Sequence, residues 1–406
     1  MKKIFTICFT LTLMFGCINA NAQTAYITKR NDSSVTVINV ATHTIVTTIS
    51  VGSGSGGVSV SADGTKVYVT NAGANTVSVI NAATNTVTAT IAVGLEPEGI
   101  IVSPDGTKVY VANDSDTTVS VITTANNTVS ATISVGTFPY GIAITPDGSK
   151  VYVGNSANTT VRVINTSTNM VTDTITIGSG PDGIIITPDG TKAYVASWIG
   201  TVSVINTSTN TVSATIPVGN GAYGIDVSPD GTMVYVSNSS SHSVSVINTA
   251  SDTVSATVTV GNGPRGVSVS PDGSVVYVAN YGTNTISVIN TATNLVSMTI
   301  PVSSDPFAFG NFMSPFISNG IPSLNNEPPI LSLYPNPNNG IFTLKGDLRF
   351  TNYDLRITDI MGREVYHQPI NQSTQATIDI SQCSNGVYFY QLTDEKGSVR
   401  GKLVKE

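Results

Sequence analysis

Cysteine and histidine are scarce in this chain, three of each in 406 residues, with a single Trp and only 11% charged residues. His43, His242 and His367 leave little material for acid–base or metal chemistry. No Gly-x-Ser-x-Gly elbow, zinc-ligand spacing, phosphate loop or Cys-x-x-Cys-His haem site occurs. The sequence therefore offers no catalytic set, no metal set and no cofactor signature. Helical periodicity with a capping signal is missing throughout, which points to an all-β protein. Basic residues are few: residues 26 to 316 hold 8 Lys plus Arg against 16 Asp plus Glu, while 331 to 406 hold 8 against 8. An acidic surface opposes phosphate backbones, so nucleic acid is not an expected partner.

Long hydrophobic runs are also missing, except at the start. Lys2 and Lys3, the apolar stretch Ile4 to Phe15 and Ala20-Asn21-Ala22 read as a secretory signal peptide over 1–22, cut before Gln23. Cys17 after Met14-Phe15-Gly16 offers a lipidation alternative, which the bulky Met and Phe fit poorly. Cys8 and Cys17 would leave with the leader, and the remaining Cys383 cannot form an internal disulfide. No later segment is apolar for long enough to be a transmembrane span.

What is present is a repeat. An Asp-Gly pair recurs at Asp63, Asp105, Asp147, Asp189, Asp230 and Asp272, at intervals of 42, 42, 42, 41 and 42 residues. One unit, Gly99 to Gly136, contains four β-branched or aromatic runs: strand a at Gly99 to Ser103, b at Val109 to Ala112, c at Val119 to Ile122 and d at Thr128 to Val135. Ser-Pro-Asp-Gly joins a to b, with Pro presetting φ and Gly supplying the left-handed residue. Four strands per 42 residues, repeated radially, predict propeller blades.

Six complete units begin at Gly57, Gly99, Gly141, Gly183, Gly224 and Gly266. Ahead of them lie only strands b, c and d (Ala25 to Thr28, Val35 to Ile38, Thr44 to Val51); behind them Pro306 to Phe312 reads as one more strand a. The expected fold is a seven-bladed β-propeller over 23–316, closed by N-terminal strands b, c and d plus C-terminal strand a. A linker over 317–330, rich in Ser, Asn and Pro, precedes a small β-sandwich at 331–406.

Tyr68-Val69-Thr70-Asn71, with variants Tyr110-Val111-Ala112-Asn113, Tyr152-Val153-Gly154-Asn155, Tyr194-Val195-Ala196-Ser197, Tyr235-Val236-Ser237-Asn238 and Tyr277-Val278-Ala279-Asn280, resembles the YVTN family of β-propeller repeats. That resemblance implies a bacterial or archaeal surface or periplasmic protein, and leaves the ligand open. The C-terminal motifs, Tyr334-Pro335-Asn336-Pro337, Asp359-Ile360-Met361-Gly362-Arg363-Glu364-Val365, Gly386 to Leu392 and the closing Gly401 to Glu406, resemble the type A sorting domain of the type IX secretion system of Bacteroidota. This implies passage through the periplasm to the outer-membrane exterior, with the secretion machinery as partner and loss of the domain on export.

The a–b and c–d turns of a blade share one face of a propeller, and here they are nearly uniform. Function concentrates in varied loops, which are the d–a and b–c loops on the other face. The d–a loops carry Glu96, Glu98, Phe138, Tyr140, Asp182, Tyr223, Arg265 and Phe307; the b–c loops add Trp198, His242 and Tyr281, with Lys29 to Asp32, Asp114 and Asp116. Together they predict a charged and aromatic ring at the channel mouth, suited to a glycan, peptide or protein ligand in a binding or adhesion protein. The near-identity of the blades suggests a repetitive structural component of the cell envelope instead. A lactonase-like hydrolase or lyase would use His242 with Glu98 and Arg265. Asn113-Asp114-Ser115-Asp116 lacks the Gly and Glu of an EF-hand loop and reads as a solvated turn.

Overall fold

Short β-branched runs separated by Asn, Asp and Gly turns leave each repeat one low-energy arrangement, an antiparallel meander. In the computed structural model the third blade consists of Pro97–Val102, Lys108–Asn113, Thr118–Thr123 and Thr128–Ser134, hydrogen-bonded in sequence order, and five further four-stranded sheets repeat this pattern. The structure describes residues 23–178, 180–315, 332–334, 339–345, 352–359, 363–371, 375–393 and 398–405. The expected leader 1–22, with Cys8 and Cys17, and the expected linker 317–330 lie outside these. The chain divides into two compact units, Met1–Ile317 and Ser318–Glu406.

The remaining blade is split between the two ends of the first unit. Thr24–Lys29, Ser34–Asn39 and Thr44–Ser50 form a three-stranded sheet. Residues 306–314 run antiparallel to its first strand: Phe307 N donates to Thr28 O (2.8 Å), Tyr26 N to Phe312 O (2.9 Å) and Ser314 N to Thr24 O (2.8 Å). The ring thus closes with seven blades. The closing segment is less regular than the strand a expected there, because Ala308 (φ 46°) and Gly310 (φ 106°) turn the backbone out of the extended region. Thr28 Oγ1 accepts the Ala308 N–H displaced by that turn (2.8 Å). Burial of Phe307, Phe309, Phe312 and Met313 holds the segment in place.

Strand a starts at Pro97, two residues before the glycine that opens the sequence repeat. Pro97 pairs with Asn113 and Ile100 with Val111, so Glu98 and Gly99 together face Ala112 in a β-bulge, and all six complete blades share it. A second bulge interrupts each outer strand d. In the third blade Val121 pairs with Ala131 and Ile122 with Val129, and the extra residue, Ser130, donates its hydroxyl to Val121 O (3.1 Å). Such bulges blunt an otherwise open sheet edge.

Between blades the core is apolar. Tyr68, Val77, Val79 and Ile91 of the second blade pack against Ile100, Val102, Val109, Val111 and Ile122 of the third. The turn face adds repeated polar ties. Ser103 Oγ donates to Asp105 (2.5 Å), which also accepts Thr107 N–H (3.0 Å), while Lys108 Nζ reaches Thr166 O of the next blade (3.0 Å). Tyr152 OH meets Asn210 Oδ1 (2.7 Å) and Tyr194 OH meets Asp252 Oδ1 (2.5 Å). Across the closing seam Tyr277 OH meets His43 Nδ1 (2.6 Å). His43 occupies the left-handed turn position that Asn fills in most blades.

The second unit forms two sheets. Ser332–Tyr334, Ile341–Lys345 and Gln375–Asp379 make one; Glu364–Asn371, Asn352–Asp359, Gly386–Thr393 and Ser398–Lys405 make the other. Phe342, Leu355, Ile357, Ile378, Leu392 and Leu403 supply their shared core, which defines a small sandwich.

Candidate functional site at the channel mouth

The bulge in strand a sets the geometry of the mouth. Its glycine packs directly against the next blade: a Cβ on Gly99 would stand 2.1 Å from Tyr140 O, and one on Gly141 1.9 Å from Asp182 O. The same close approach recurs at Gly57, Gly183, Gly224 and Gly266. A ring of backbone contacts results that no larger residue could make. The residue just before each glycine occupies an equivalent seat around the mouth. Going round, the seats hold Gly56, Glu98, Tyr140, Asp182, Tyr223, Arg265 and, in the closing segment, Phe307.

The seat without a side chain is filled from elsewhere. Arg30, at the end of the first strand, ion-pairs with Glu98 through both oxygens, one at 3.0 Å, and lies 4.7 Å above the Phe307 ring. A Cβ at Gly56 would come within 3.4 Å of this guanidinium. Next to it Tyr140 and Tyr223 share a hydroxyl–hydroxyl hydrogen bond, and both rings rest against Phe309, at 5.2 and 5.3 Å between centroids. Arg265 lies over Tyr223 (4.6 Å), Trp198 (5.2 Å) and Tyr281 (5.9 Å). The cavity beneath, lined by Gly99, Ile100, Ile142, Ile184, Ile225 and Phe309 among others, holds about 20 Å³. Phe309 thus both supports the two tyrosine rings and lines the cavity.

Burial pushes the mouth acids up. Glu98 is raised by desolvation despite its bond to Arg30, Asp114 is pushed to about 6 by burial with Glu98 and Glu96 nearby, and half-buried Asp182 is pushed to about 7. Deeper in, Asp226 accepts Val227 N–H and, from the next blade, Val269 N–H (2.9 and 2.8 Å), and burial pushes it to about 6.

Eight of the residues singled out from sequence, Arg30, Glu98, Tyr140, Trp198, Tyr223, Arg265, Tyr281 and Phe307, meet in this cluster with Phe309; Asp182 occupies its own seat among them. Glu96, Phe138 and His242 do not share these contacts. All three are left-handed loop residues. Glu96 accepts from Ser115 Oγ (2.7 Å), the Phe138 carbonyl accepts Ser156 N–H, and His242 Nδ1 accepts Gly263 N–H (3.2 Å). His242 thereby does what Asn75 and Asn284 do in other blades, where each side-chain carbonyl accepts a loop N–H. The grouping of His242 with Glu98 and Arg265 is not formed: each has a different set of partners. Asp114–Asp116 is a single 3₁₀ turn, and Asp114 N donates to Glu96 O.

Arg30 comes from the expected Lys29-to-Asp32 loop, while Phe309 was not among the expected mouth residues. The glycine at position 56, where other repeats have a side chain, leaves the seat that Arg30 fills.

Residues 332–406 match the family described as a secretion system C-terminal sorting domain. Residues 57–153 match the YNCE-like β-propeller family, and residues 165–300 the family described as lactonase, 7-bladed β-propeller. The chain is a seven-bladed β-propeller with a type IX secretion sorting domain. The sorting domain links it to the type IX machinery and directs it to the cell surface or exterior. Among the described residues no helix is long and apolar enough to cross a membrane. No curated protein matches the chain. Among solved structures, hydrazine synthase of Kuenenia stuttgartiensis is similar at 22% identity and TM-score 0.59, covering 63% of this chain and 88% of that one. A functionally unknown protein of Desulfotomaculum acetoxidans is similar at 20% identity and TM-score 0.63, covering 72% and 98%. At such identities the likeness extends to the propeller fold and no further.

Proposed function

We propose that the exported propeller is a binding module that takes its ligand across the channel mouth. The observation that carries this reading is the contrast among equivalent positions. Six seats share one bulge geometry and the closing segment supplies a seventh, yet together they hold Gly, Glu, Tyr, Asp, Tyr, Arg and Phe, while the opposite face repeats the same turn. Side chains that only kept the ring together would have no reason to differ from blade to blade. Trp198, 44% exposed, and half-buried Tyr281 and Arg265 are the parts of the cluster that remain accessible to a ligand. In this reading residues 1–22 are the leader, 23–316 the binding domain, 317–330 a linker and 331–406 the exported signal.

A glycan and protein array probed with the secreted chain tests the proposal, followed by Trp198→Ala and Arg265→Gln in the same chain. Loss of the array signal in both variants, with unchanged melting temperature, is the expected result. A ligand whose binding ignores both substitutions places the site elsewhere. The hydrolase reading draws on the lactonase-family match over 165–300. It would need a different set of residues, because His242 shares no contact with Glu98 or Arg265.

A further inference from the structure

The binding reading leaves the ligand's chemistry open, and Arg265 narrows it. The two guanidiniums at the mouth are differently placed. Arg30 is neutralised by Glu98. Arg265 lies among three aromatic rings with no hydrogen bond or ion pair among the described residues. A guanidinium held on aromatic faces keeps its planar fork of donors available, and that fork matches a carboxylate.

We propose, building on the binding-module reading, that the mouth recognises a carboxylated saccharide, its carboxylate on Arg265 and a sugar ring against Trp198 and Tyr281. Flat aromatic rings at a shallow rim suit the apolar face of a pyranose. Asp182, two seats from Arg265, offers a hydrogen-bonding partner for a sugar hydroxyl. Its carboxyl is pushed to about 7, so near neutrality it opposes an incoming anion less than an ordinary aspartate would.

Calorimetric titration of the full secreted chain with trimers of galacturonate, mannuronate and glucuronate tests this. Each is paired with its carboxyl-reduced neutral trimer, and an acetylated hexapeptide with a free C-terminal carboxylate is the competing probe. At least one uronate trimer should bind ten-fold or more tightly than its reduced partner. R265Q should erase that ratio, R265K should keep part of it, and Lys66→Ala on the turn face should leave it unchanged. Equal affinity for acid and reduced trimers, no uronate binding, or tighter binding of the peptide overturns the proposal. If a reduced trimer binds as well as the acid and W198A abolishes both, the carboxylate assignment falls while the mouth remains a binding site. Binding that ignores both W198A and R265Q removes both readings.

Discussion

The two faces of the propeller are built from the same repeat and behave as opposites. On the turn face, carboxylates such as Asp105, Asp147, Asp189 and Asp230 are held below the ordinary range by Ser or Thr hydroxyls and backbone N–H groups. At the mouth, burial pushes Glu98, Asp114 and Asp182 above it. The turn face satisfies its charges locally and repeats that solution. The mouth carries charge that the fold itself does not fully compensate. Repetition also distributes stability on the turn face, whereas contacts at the mouth, made once each, have no substitute.

Five perturbations test that contrast, the largest first. Deleting 306–315 removes the Phe307 seat, the Phe309 support and the partner of strand Thr24–Lys29. Three buried phenylalanines at about 1.5–3 kcal/mol each predict a fall in Tm on the order of 10 °C or more, with early proteolysis of the first blade. Gly141→Ala forces a methyl group against Asp182 O and should cost about 3 kcal/mol in chemical denaturation.

Arg30→Ala strands Glu98, whose side chain is 5% accessible, while Arg30 itself is 30% accessible. A double-mutant cycle with Glu98→Ala should show a coupling of about 2–3 kcal/mol, the low end for a buried pair. Asp226→Ser comes next, because Ser59 at the equivalent position of the second blade accepts the same inter-blade N–H from Val102 without a charge. Asp226 titrates near 6 when folded, above its unfolded value of about 3.9, so folding loses stability as pH rises from about 4 to 6. The serine variant should flatten that slope and gain on the order of 2 kcal/mol at pH 7.5 in urea titrations. Tyr194→Phe deletes one turn-face tie to Asp252 and should cost about 1 kcal/mol. A larger loss there than at Arg30 would contradict the contrast between the faces.

The sequence revealed much of this fold, because a 42-residue period leaves its count and strand content on the surface of the text. Tyr68 and its equivalents, the Asp-Gly turns and the split blade could all be read by register. The bulges could not be placed, since a glycine in a strand marks close approach without saying to what; only the neighbouring blade's carbonyl, 2.1 Å from where a Cβ on Gly99 would be, explains it. Arg30 was legible as a loop residue, but its place was not: it reaches a seat that belongs to another repeat, and alignment compares like positions only. His242 misled in the other direction, because a rare residue attracts a chemical role while its ring here performs the work of an asparagine side chain.

The location of the seam constrains how this molecule can be made. A chain emerging amino-terminus first could stack blades in order, yet strand Thr24–Lys29 would keep one raw edge until residues 306–314 arrived. Completion therefore depends on the short closing segment 306–314, and any pause before it would leave an adhesive strand exposed to other chains. The sorting domain follows that final piece in the chain, beginning at residue 332, so the segment that finishes the ring and the segment that ships it are produced one after the other.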